Sequence, residues 1–128
     1  MILLDTCVLL WLAADQNKLS KKAKNTIIDN NGKVFVSSIT AFEIAIKTLK
    51  GKMELPMAAD VWFKKALDFH GIQEIRIDSI IAIQAVKLPL LHNDPCDRFI
   101  IATALQNSMS IITCDTLISQ YKEVKIIW

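Results

Sequence analysis

The 128-residue sequence lacks any close cysteine pair: Cys7, Cys96 and Cys114 are odd in number and widely spaced. Disulfide frameworks need paired cysteines and zinc sites need clustered ones, so neither is expected, and the three thiols read as buried groups in a reducing cytosol. Strong charge is also missing. Fifteen basic against thirteen acidic side chains leave a formal charge of +2, which is far from that of a dedicated nucleic-acid coat but compatible with a local basic patch. The opening "MILLDTCVLLWLAAD" has no basic leader region, and Asp5 leaves the apolar run from Cys7 to Ala14 too short to span a bilayer. A soluble, cytoplasmic protein without a membrane partner is expected. No repeat, linker or low-complexity stretch interrupts the chain, so residues 1–128 are expected to form one domain. Apolar residues, by contrast, are abundant. At 52% hydrophobic and 22% charged, the chain has more apolar material than an isolated domain needs, which points to a partner or a second copy covering part of its surface.

The order of elements follows from hydrophobic patterning. Ile2 to Leu4 is a short continuous apolar run, as a strand buried on both faces requires, and it stops at Asp5. Val8, Leu9, Trp11 and Leu12 then fit one helix face, Ser20 suits the N-cap of a second helix, and "NNGK" reads as a turn before the strand "KVFVS". A helix opening at Ser37 to Thr40 runs to Gly51, a suitable residue just past a helix end. Another covers roughly Ala58 to Phe69; "IQEIRI" is a third strand, and "DSIIAIQAVKL" a helix capped by Asp78. Asp94 followed by Pro95 starts a helix reaching about Asn107, because proline at the first helical position wastes no hydrogen bond. "MSIITCD" and "EVKIIW" complete the strands. Strands alternating with helices imply an α/β protein: a three-layer α/β/α sandwich around a central parallel sheet.

Four acids stand at the junctions of this pattern. Asp5 and Asp115 each follow an apolar strand, while Glu43 and Asp97 lie in the first two turns of helices. In an open parallel sheet, strand C-termini and the helix N-termini after them share the ligand-binding edge. Position by position, capping explains these residues equally well: Asp5 and Asp115 can each cap the segment after them, Thr40 with Glu43 matches a capping box, and Asp94 with Asp97 imitates one. As a group they carry a different implication. Four converging carboxylates would resist ionisation unless a cation lay among them, and an oxygen cluster suits hard Mg²⁺ or Mn²⁺, an arrangement able to cleave phosphodiesters. No serine, cysteine or histidine nucleophile constellation competes with this.

Weaker candidates surround the acids. Thr6 and Thr113 are placed to hydrogen-bond neighbouring carboxylates. His92 is more commonly a loop or partly buried polar residue than a ligand, with phosphate contact or proton transfer as the alternative. Arg98 fits a phosphate contact or an ion pair with a nearby acid equally. The lysines at 18, 21, 22 and 24, and at 47, 50 and 52, read as solvated helix faces, and Trp11, Trp62 and Phe99 as core.

Taken together, "LLDTCVLLWL", "SSITAFEIAIKTLKGKMELP", "LPLLHNDPCDRFIIATAL" and "SIITCD" resemble the PIN-domain ribonucleases, especially the VapC-like toxins of toxin and antitoxin pairs. The resemblance spans nearly the whole chain and implies a Mg²⁺- or Mn²⁺-dependent endoribonuclease acting on RNA, with acids matching Asp5, Glu43, Asp97 and Asp115. It further implies a homodimer and a small antitoxin that covers the active site. His92 and Asp94 match the "HxDPxDR" form of one branch, where Cys96 replaces an aromatic residue. Two other classes fit the size and pattern: a phospho-accepting receiver domain and a catalytically idle PIN-like interaction domain. A receiver needs an acidic pair after the first strand and a lysine at the end of the last, where this chain has a single Asp5 and no lysine at Asp115; an idle domain is disfavoured by the presence of all four acids.

Overall fold

A computed structural model describes residues 1–128. Five strands, β1 (Ile2–Leu4), β2 (Val34–Ser37), β3 (Gln73–Ile75), β4 (Ser110–Ile112) and β5 (Ile126–Ile127), form one sheet in the order β3-β2-β1-β4-β5, parallel throughout. The helices are α1 (Thr6–Ala14), α2 (Lys21–Asp29), α3 (Ser38–Leu49), α4 (Ala59–His70), α5 (Ser79–Lys87) and α6 (Pro95–Gln106). The expected order of elements and the three-layer sandwich are both present. The two outer strands are shorter than the apolar runs that suggested them. This order also removes the receiver reading, because phospho-acceptor domains use the flavodoxin-like order 2-1-3-4-5. No helix is long and apolar enough to cross a membrane.

All the strands but the outer β3, whose Gln73 and Glu74 are exposed, supply both faces of the sheet. Ile2, Leu4, Val34, Val36, Ile112 and Ile127 point into one core with Val8, Leu9, Ile44 and Phe63, whereas Leu3 and Ile111 point into the other with Ile81, Ile100, Ile101 and Tyr121. This alternation explains why the strands read as continuous apolar runs: a parallel sheet covered on both sides has no wet face. Burying Leu3 and Leu4 completely stabilises the fold by roughly 1.5–3 kcal/mol each, and that packing sets where the chain emerges at Asp5.

α6 is the most enclosed helix, with Asp97, Arg98 and every residue from Ile100 to Ala104 buried. Asp94 is its N-cap, accepting from the Cys96 backbone N–H at 2.9 Å, and Pro95 occupies the first turn as expected. The reciprocal arm of a capping box is absent, since the Asp94 N–H turns to His92 Nδ1 at 3.3 Å. Nor do Thr40 and Glu43 form one. α3 begins earlier, its N-cap Ser37 accepting from Ile39 N–H at 3.1 Å, so Thr40 lies inside the helix with its hydroxyl 3.1 Å from that of Thr6. Gly51 follows α3 with φ +70°, the left-handed conformation that ends a helix at little cost to glycine.

Candidate metal centre

The sheet changes direction between β1 and β4, since the chain proceeds outward from β1 to β2 and β3 and then returns to the other side. Loops diverge at such a switch point and leave a crevice at the carboxyl ends of the strands. Asp5 leaves β1 there, and Thr113 to Asp115 leave β4 beside it.

Asp5 has two structural bonds. Oδ1 accepts from Thr6 N–H at 2.7 Å, which caps α1, and Oδ2 accepts from the Thr113 hydroxyl at 2.7 Å. Thr113 Oγ1 in turn accepts from Asp115 N–H at 3.0 Å, so one buried hydroxyl ties together the two acids of adjacent strands. Asp115 Oδ1 takes the Leu117 N–H at 2.8 Å. Thr113 thus supports a carboxylate as expected, but the Thr6 hydroxyl does not: it meets Thr40 inside the protein, and only the Thr6 backbone reaches Asp5.

Glu43 approaches from α3 and Asp97 from α6. Glu43 Oε2 pairs with Lys47 at 3.3 Å one turn on, while Oε1 is buried with no hydrogen-bond partner. Asp97 Oδ2 lies 2.7 Å from His92 Nε2, and Asp115 Oδ2 lies 3.6 Å from the same nitrogen. One ligand atom from each of His92, Asp97 and Asp115 falls within a 4.8 Å cluster, a spacing compatible with holding a metal ion.

Electrostatics bring the four acids into one field. Burial raises the Asp5 carboxyl above its ordinary range, the bonds from Thr113 and Thr6 work against this, and the charges of Glu43 and Asp115 add to the rise. Asp97 is pushed up to about 7, by burial first and then by Asp5, Asp94 and Glu43, with His92 opposing. Acids that resist losing their protons where they are packed, and a buried Glu43 oxygen without a partner, are the conditions a bound cation relieves. The donor set is mainly carboxylate oxygen, which suits Mg²⁺ or Mn²⁺. The residues present therefore fit a divalent ion.

Three residues sit in surroundings that the sequence alone did not show. Arg98 forms no ion pair with an acid: its guanidinium is buried and donates to the carbonyls of Val86, Leu88, Pro89 and His92 and to the Tyr121 hydroxyl. His92, expected as a loop or partly buried polar residue, does lie in the loop before α6, where it is 9% exposed and faces the acids. Lys47, expected on a solvated helix face, borders the centre through Glu43; the i, i+4 spacing of the two residues was the available signal. Cys7 and Cys96 have thiols raised to about 11, chiefly by burial and then by Asp5 for Cys7 and Glu43 for Cys96, so neither is a thiolate nucleophile near neutral pH.

The chain is similar to several known proteins. Ribonuclease VapC22 of Mycobacterium tuberculosis (strain ATCC 25618 / H37Rv) is 27% identical over 122 residues, covering 94% of this chain and 92% of that protein. Among solved structures, a toxin-antitoxin complex from Klebsiella pneumoniae superposes with a TM-score of 0.63 at 24% identity, covering 91% of this chain and 88% of that one. VapBC2 from Rickettsia felis, bound to a DNA fragment from its promoter, gives 0.70 at 14% identity over 98% and 97%. At these identities the superpositions establish the fold. The family model for the PIN domain matches residues 2–124, and with so much of the sequence matched, the chain belongs to the PIN domain family.

Proposed function

We infer that this protein is a divalent-metal-dependent endoribonuclease that hydrolyses phosphodiester bonds in RNA, and that it serves as the toxin of a toxin-antitoxin pair. The observation that supports the reading is that Asp97 and Asp115 meet at His92, with the charges of Asp5 and Glu43 acting on Asp97 and with Glu43 Oε1 buried and unpartnered. Similarity to a ribonuclease and, in fold, to a toxin-antitoxin complex supports the choice of substrate class and biological setting. These four acids are the residues that would hold Mg²⁺ or Mn²⁺. When bound, a divalent ion would ease loss of a proton from the attacking water and would compensate charge that accumulates on the phosphate. The chain's own contribution is positional. Thr113 fixes Asp5 relative to Asp115, α6 packing fixes Asp97, and Lys47 offers a cation beside Glu43 for the RNA backbone.

Two exposed apolar patches suit the two protein partners. α3 carries Glu43 towards the centre and Ala41, Phe42 and Ala45 into a groove of about 600 Å³ shared with Phe63 and Leu67 of α4. An antitoxin segment lying in that groove would pack on α3, the helix that carries Glu43, and an arginine fork extended from it would match carboxylate geometry and block the site. The second patch, Ile80, Ile83 and Val86 on α5 with Leu90 beyond it, is exposed at helical spacing and is the face assigned to a homodimer.

The direct test is cleavage of single-stranded RNA by purified protein with Mg²⁺ or Mn²⁺ and with EDTA. Cleavage is expected only with the ion. Equal cleavage in chelator would refute the metal-dependent reading.

A further inference from the structure

We propose that His92 is a positioning residue of the acidic centre, its neutral imidazole holding the Asp97 carboxylate with an Nε2–H donor, and that Arg98 and Tyr121 hold His92 in place. The inference rests on the metal-dependent reading above, and names how this chain orients one of its acids.

The tautomer follows from the backbone. The Asp94 N–H points at His92 Nδ1, 3.3 Å away, and a nitrogen that accepts a hydrogen bond carries no proton. The ring proton of the neutral imidazole is therefore on Nε2. That nitrogen is buried, lies 2.7 Å from Asp97 Oδ2 and 3.6 Å from Asp115 Oδ2, and has no acceptor aligned with its N–H. A buried donor without an aligned partner is costly, and the nearest group able to satisfy it is the Asp97 carboxylate, already at hydrogen-bonding distance. Only the angle is missing, and catalytic hydrogen bonds often come into line when the site is filled. The same tautomer argues against direct ligation, because Nε2 has no free lone pair while Nδ1 accepts from the backbone.

The peptide groups of His92 are pinned from both sides. Tyr121 Oη accepts from His92 N–H at 3.1 Å, and Arg98 Nη1 donates to His92 O at 3.1 Å. Tyr121 also donates to Pro89 O at 2.7 Å, a carbonyl it shares with Arg98 at 3.0 Å. Arg98 is the residue after Asp97, and Tyr121 follows Asp115 by six positions. The two segments that present acids to the centre thus also carry the two clamps on His92. A neutral donor orients a carboxylate without adding a positive charge that would compete with a bound cation. Within "HNDPCDR" the charged and ionisable residues divide the work: His92 orients, Asp94 caps the helix and sets the tautomer, Asp97 is the oriented acid, and Arg98 is the clamp.

The chain has only two histidines, His70 and His92, so long-range ¹H–¹⁵N NMR of wild type and a His70→Gln variant isolates the His92 ring. The proton is expected on Nε2 both without and with saturating Mg²⁺. In parallel, His92→Gln, whose amide nitrogen can donate from near the Nε2 position, and His92→Leu, which only fills space, are assayed for RNA cleavage and for Mn²⁺ affinity by calorimetry. His92→Leu is expected to weaken Mn²⁺ binding and lower kcat by about tenfold or more with KM little changed, and His92→Gln to recover most of both. An unprotonated Nε2 in the Mg²⁺-loaded wild type would overturn the proposal even if neither variant folded, as would equal effects of Gln and Leu. Wild type that binds no Mn²⁺ and cuts no RNA with it overturns the metal-dependent reading and this inference together, whereas normal binding and cleavage with the wrong tautomer removes the inference alone.

Discussion

Replacing Asp97 with Asn changes a charge while leaving almost everything else in place. The cap of α6 belongs to Asp94, so the helix loses no N-cap bond. Asp97 is raised from 3.8 to about 7 by burial and by the charges of Asp5, Asp94 and Glu43, against His92. A rise of roughly three units corresponds to about 4 kcal/mol of unfavourable interaction in the ionised form. Asn weakens the favourable contact with His92, so a net gain of about 2 kcal/mol is expected for the metal-free variant. The sign follows from proton linkage. A carboxyl raised in the folded state binds its proton more tightly there than in the unfolded chain, so its penalty is absent below pH 3.8, grows between 3.8 and about 7, and is complete above that. Asp5, shifted in the same direction, makes both proteins lose stability as pH rises above 3.8, and wild type should lose more. In EDTA the melting temperatures should lie close together near pH 5 and separate by about 6–10 °C at pH 8, the variant being higher. Added Mn²⁺ should reverse the order: at ~100 times its Kd it stabilises wild type by roughly 2.7 kcal/mol and the variant much less, and RNA cleavage by the variant should be nearly lost. Parallel pH profiles together with equal Mn²⁺ shifts would refute the assignment of Asp97 to the centre.

Thr113→Val removes the hydroxyl that bridges Asp5 Oδ2 and Asp115 N–H, and urea denaturation should show a loss of about 1–3 kcal/mol; a change near zero would mean that water replaces the bridge. Ile83→Glu with Val86→Glu places charge on the exposed α5 face and should convert a species of about twice the 14.4 kDa chain mass to a monomer in light scattering while leaving metal binding intact. A wild type that is already monomeric removes the dimer assignment. Phe42→Glu, in the groove beside α3, should relieve growth inhibition from suppression by the co-expressed antitoxin without reducing cleavage, and suppression as complete as with wild type would place the antitoxin elsewhere.

The sheet was legible because a strand buried on both faces leaves a signature that needs no knowledge of its neighbours: Leu3 and Leu4 are apolar in succession because each enters a different core. Strand ends were less legible. In "EVKIIW" only Ile126 and Ile127 pair with β4, since the extent of pairing at a sheet edge depends on the partner rather than on the segment's own pattern. The four acids were legible as positions at junctions, but their surroundings were not. That Thr113 bonds Asp5 across 108 residues depends on β4 lying beside β1, and no local spacing encodes that neighbourhood. The place of Arg98 was hidden for a related reason: its acceptors are mostly main-chain carbonyls, which every residue possesses and no sequence pattern marks.

Capping and metal binding, rivals when the acids are read one at a time, divide the work between atoms of the same side chains. Asp5 gives Oδ1 to the α1 N-terminus and Oδ2 to Thr113, and Asp115 gives Oδ1 to Leu117 N–H while Oδ2 faces His92. Each carboxylate oxygen can accept more than one bond, so a capping bond holds the group in place without exhausting its capacity as a ligand. Helix N-termini and the ligand edge coincide in a parallel α/β sheet, which puts residues suited to capping where an ion would be held. At Asp5, therefore, Asn should preserve the cap and remove the charge, whereas Ala should remove both. Comparing the two separates the atom that holds the helix from the charge that would hold the ion.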